Sequence, residues 1–122
     1  MKAKVFTIKD PVFYGTFLVV AGEPFEKARV RFSKFLKTDL NSDTLRIISG
    51  LEAGVFENPE KPKTLAIYFS DRKPGVGCLA HEVFHAVHNV MDRSMIPLNW
   101  GSNETYAYYL DWLIKEIARK LW

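Results

Sequence analysis

Apolar residues in the first twenty positions come in short, β-rich runs. Residues 3–9 (AKVFTIK) alternate in part, and residues 12–20 (VFYGTFLVV) are β-branched and aromatic. Two strands are predicted, with Asp10-Pro11 as the turn between them. The period then changes. Over residues 24–37, Phe25, Ala28, Phe32, Phe35 and Leu36 share one side of a helix, and Lys27, Arg31 and Lys34 share another. Pro24 near the start suits a first helical turn. A polar connector, 38–44, leads to two short strand candidates, 45–49 and 51–57, around Gly50. After the turn at 58–62 (NPEKP), residues 64–70 (TLAIYFS) form the clearest strand of the second half. A Gly/Pro loop, 71–77, precedes a helical pattern over 77–92, and a loop broken by Pro97 and Gly101 precedes another over 103–121. Strands mostly early and helices late predict a single α+β domain, residues 1–122, with a small mixed sheet packed against helices.

The polar arc of the helix over 77–92 carries an unusual set of residues. Ala80, Val83, Phe84, Val87, Val90 and Met91 are assigned to one arc; His81, His85, His88 and Asp92 take the other, with Cys78 nearby. A solvent-facing arc would ordinarily carry Lys and Glu. Residues 81–85 read His-Glu-Val-Phe-His. Positions i and i+4 lie one turn apart on the same face, so both imidazoles can hold one metal ion. Glu82, about 100° further round, sits beside that ion, where a carboxylate can take a proton from activated water. A zinc hydrolase needs a third protein ligand and leaves one coordination position open. The last helix offers Glu104 in its first turn. There Glu104, Tyr108, Asp111 and Lys115 form a stripe opposite Tyr106, Ala107, Leu110, Leu113, Ile114, Ile117 and Leu121. Considered alone, a carboxylate at that position reads better as one favoured by the helix dipole; beside His-Glu-x-x-His it reads better as a ligand.

Composition narrows the alternatives. At 122 residues and 48% hydrophobic content the chain can bury a core without disulfides, and its one cysteine, Cys78, has no intrachain partner. The net charge of +3 is spread out, and no nucleic-acid motif accompanies it, so nucleic-acid binding is not expected. No apolar run is long enough for a membrane span. Lys9 and Asp10 interrupt the first apolar stretch, which does not read as a secretory leader, so a cytoplasmic setting is expected.

Eighteen residues, 86 to 103, separate His85 from Glu104. H-E-x-x-H-(x18)-E resembles the signature of the gluzincin metallopeptidases related to aminopeptidase N. Trp100, Asn103, Glu104, Ala107 and Tyr109 in WGSNETYAYY are similar to residues flanking that family's glutamate ligand. The resemblance covers residues 78–112, about a third of the chain. It implies a zincin-like fold, Zn2+ held by His81, His85 and Glu104, Glu82 as the catalytic base, and a peptide or protein substrate. In size the chain is closer to short stand-alone metallopeptidases of bacteriophage and bacteria. It departs from the aminopeptidases at residues 53–58 (AGVFEN), which have one residue too many for their amino-terminus-binding G-x-M-E-N element. The downstream region that carries their transition-state tyrosine is also not expected here, so exopeptidase specificity is not implied.

Other residues are second-tier candidates. His88 and Tyr108 are positioned to donate to a developing oxyanion, and Asp92 and Asp111 to orient ligand imidazoles. Cys78 reads as a small buried hydrophobe. Residues 51–57 or 64–70 would supply the edge strand along which zincins bind extended peptide. The expected activity is zinc-dependent hydrolysis of a peptide bond. The alternative is a non-catalytic zincin-fold module, against which the presence of Glu82 speaks.

Overall fold

The computed structural model describes residues 2–13, 15–40 and 52–122. Among these, four strands form one mixed sheet: β1 (Lys4–Lys9), β2 (Thr16–Ala21), β3 (Ala53–Glu57) and β4 (Thr64–Phe69), in the order β1-β2-β4-β3. β1 runs antiparallel to β2, β2 parallel to β4, and β3 antiparallel to β4. Three helices complete the described chain: α1 (Phe25–Leu36), α2 (Val76–Arg93) and α3 (Asn103–Leu121). The α+β class and the order of elements match the sequence reading. The strand expected at 45–49 lies outside the described residues.

Alternation along β2 and β4 divides the core. Leu18, Val20, Ala66 and Tyr68 face α1 and meet Phe25, Ala28, Phe32 and Leu36. Phe17, Val19, Ala21, Leu65, Ile67 and Phe69 face α2 and α3. Both faces of these strands are covered, so they read as unbroken apolar runs rather than alternating ones. On β3, Val55 pairs with Ile67 and therefore faces α2, while Phe56 pairs with Ala66 and joins the α1 side.

The second strand starts later than the sequence predicts. Residues 12 and 13 belong to the connection, because the Asp10 carboxylate accepts hydrogen bonds from the Val12 and Phe13 amides at 2.7 and 3.1 Å. Those N–H groups are taken by the turn and are not offered to a ladder. Asp10 is 3% exposed and also accepts the Tyr109 hydroxyl proton, so the hairpin turn is tied to α3. Opposite it, Arg93 at the end of α2 donates to the Pro62 and Thr64 carbonyls and pairs with Glu57 of β3. These clamps fix α2 against the β3 edge of the sheet.

α2 shows one difference from the predicted arcs. Leu79, Val83, Ala86, Val87 and Met91 are buried as a helical face should be, but Phe84 is 40% exposed. It stacks against His88 at 6.3 Å with 12° between ring planes. At 100° per residue, 84 and 88 are only about 40° apart, whereas 84 lies about 100° from 83. The aromatic ring therefore belongs to the histidine side.

Candidate metal centre

His81 and His85 project from the exposed side of α2, one turn apart. Their Nε2 atoms are 3.1 Å apart and their rings stand nearly perpendicular, at 78°. Two neutral imidazoles can share a proton at that distance. The same distance suits a shared cation, since tetrahedral zinc with Zn–N of about 2.0–2.1 Å separates its ligand nitrogens by about 3.4 Å. Glu82 is different in kind. It sits at the border of the apolar arc, is 6% exposed, and its Oε2 has no hydrogen-bond partner. Leaving such an oxygen buried and unsatisfied costs about 1–3 kcal/mol, more for a charged group. Among the described residues, His81, Glu82 and His85 form a group whose potential ligand atoms all lie within 4.8 Å of one another. The pair of converging imidazoles and the orphaned carboxylate oxygen fit a divalent cation.

Glu104 is not part of that group. It is exposed in the first turn of α3, and among the described residues no hydrogen bond or ion pair holds it. α3 packs on α2, and the ring of Tyr106, two residues beyond Glu104, lies 6.5 Å from that of His88. His88 is exposed and shares a cleft of about 310 Å³ with Val55, His85, Asn89 and Asp92. Tyr108, 72% exposed, lines a separate apolar groove with Val12, Phe13 and Trp112, a groove that none of the histidines lines. Of the two oxyanion candidates, His88 is the one beside the imidazole pair.

The remaining candidates resolve simply. Asp111 pairs with Lys115 at 3.0 Å on the solvent side of α3. Cys78 packs partly buried against the core; burial first, then the Glu82, Glu52 and Asp71 carboxylates, push its thiol above the ordinary range. Asp92 faces the cleft. Residues 64–70 hold a central strand, so the edge beside the cleft belongs to β3. Sequence reasoning missed the Glu57–Arg93–Asn89 cluster at the rim, where Asn89 donates to Glu57 at 2.9 Å. Burial pushes the Glu57 carboxyl up, but hydrogen bonds from Asn89 and Arg93 and the guanidinium charge outweigh it and hold the carboxyl below its usual range. The cluster left no signal in the sequence, because Glu57 is 32 and 36 positions from Asn89 and Arg93.

Comparison with known families, curated proteins and solved structures finds no significant match. Among the described residues no helix is long and apolar enough to cross a membrane.

Proposed function

We propose that this chain is a zincin-like, zinc-dependent peptide-bond hydrolase acting in the cytoplasm. The observation that carries the reading is the pair of Nε2 atoms 3.1 Å apart beside a buried carboxylate with one unpartnered oxygen. His81 and His85 would hold the ion, with Glu104 as the third ligand, its exposed side chain unrestrained and its helix lying against α2. Zinc held there would supply Lewis acidity, for activating water and polarising the scissile carbonyl. Glu82 accepts a proton from the attacking water and delivers it to the leaving amine. Its low exposure keeps bulk water from competing for that proton. His88, beside His85 in the cleft, donates to the oxygen of the carbonyl under attack.

A second reading is favoured by one observation: Glu82, not Glu104, lies within 4.8 Å of both imidazoles. In that reading Glu82 is itself a ligand, and the chain is a non-catalytic metal-holding module. Two variants separate the readings by calorimetric zinc titration and peptide cleavage. For the hydrolase, Glu82→Gln keeps zinc affinity within about threefold and loses cleavage by 10²-fold or more, while Glu104→Ala weakens zinc by at least tenfold. Loss of zinc in Glu82→Gln with full affinity in Glu104→Ala, and no peptide cleavage by the unsubstituted zinc-loaded protein, establishes the non-catalytic module instead.

A further inference from the structure

The cleft beside the imidazole pair has an uneven charge lining. It begins at His85, passes His88 and Asn89, and ends at Asp92, with Val55 of the edge strand as its opposite wall. Two carboxylates stand at this end of α2. Glu57 is already matched by Arg93 and Asn89. Asp92 is exposed, and among the described residues no ion pair involves it. Its charge reaches across this end of α2, since the Tyr106 phenol, raised first by burial, is raised further by Asp92. The nearest guanidinium in sequence, Arg93, is committed to Glu57 and two carbonyls. The cleft is left with one uncompensated negative charge at its far end.

Distance adds a second constraint. Asp92 lies seven positions after His85, which is two helical turns or about 10 Å along the axis. A residue next to a bond held at the imidazole pair starts about 3–4 Å away, and an extended lysine side chain adds about 6 Å. A long cationic side chain lying along α2 spans that interval; a short polar one does not reach, and a carboxylate is repelled. Resting on the hydrolase reading above, the geometry points to Asp92 as a specificity-determining residue that selects substrates with lysine or arginine next to the cleaved bond.

The test uses internally quenched peptides identical except for Lys, norleucine or Glu at the positions flanking a central bond. Cleavage is measured with the zinc-loaded protein. Binding is measured by fluorescence anisotropy with zinc-loaded Glu82→Gln. Lys is expected to exceed norleucine by about fivefold in kcat/KM and in affinity, the ratio a partly exposed ion pair supports, and Glu to fall below norleucine. Asp92→Asn should erase the Lys-to-norleucine ratio, and Asp92→Lys should favour Glu. Equal treatment of Lys and norleucine by the unsubstituted Asp92 protein, or a ratio that survives Asp92→Asn, overturns the inference. A Lys preference in binding that disappears in Asp92→Asn, without cleavage of any peptide, upholds the cleft's selectivity and removes the hydrolase reading.

Discussion

At the scale of single residues, the unusual groups are carboxylates removed from water. Glu82 and Asp10 are both nearly buried, but their surroundings separate them. Asp10 accepts two backbone amides and the Tyr109 hydroxyl, so its role is satisfied by the fold alone. Glu82 keeps one oxygen unpartnered, as expected of a group whose partner arrives with a ligand. Tyr109→Phe should therefore lower unfolding stability by about 2 kcal/mol, measured by urea denaturation at pH 7, because a hydrogen bond to a buried carboxylate is lost. The same pair predicts an alkaline response. Burial, then Asp10, raises the Tyr109 phenol well above the ordinary tyrosine value of about 10. The stability it contributes is fully present below that unfolded value and is lost as pH rises toward the folded one. Stability of the natural protein should fall as pH rises above about 10, and the slope should be shallower in Tyr109→Phe. Sequence alone could not tell Asp10 from a surface turn residue, since its partner is 99 positions away.

At the scale of elements, the helices and the limits of β1 and β4 were legible within a residue, and the start of β2 was not. α1 and α3 fall within a residue of their predicted spans because a 3.6-residue apolar period over three turns or more is hard to imitate. β2 begins four residues late because one side chain, Asp10, takes the amides that the apolar run offered. The link from β2 to α1 turns at Gly22, with φ of 95°, where an added Cβ would come within 3.2 Å of the Arg72 Cα. Gly22→Ala is expected to destabilise the domain by more than about 1 kcal/mol, seen as a lower urea midpoint, because both the dihedral and the space forbid a side chain. Arg93 acts on the same scale. It joins α2 to β3 and to the turn before β4, so Arg93→Ala should loosen the β3 edge. Hydrogen exchange should report it as faster amide exchange in Ala53–Glu57 than in the central β4.

At the scale of the whole molecule, a metal held by side chains in folded geometry stabilises that geometry. Zinc at a free concentration a hundred times its dissociation constant should add about 2.7 kcal/mol and raise Tm by roughly 10 °C. A chelator should reverse the shift, and a His81→Ala/His85→Ala variant should show neither, by scanning calorimetry. The sequence by itself determined the α+β class, the three helices and the alignment of His81 and His85, because all of these depend on contacts within a few residues along the chain. It did not determine which segment forms the free edge beside the cleft, or that Asp10, Glu57 and Arg93 clamp the sheet to its helices. Those depend on contacts between residues that the chain keeps far apart and only tertiary packing brings together. The relation of Glu104 to the imidazoles is of this second kind. Helical spacing places each of those side chains on a face, but only the packing of α3 on α2 sets the distance between them.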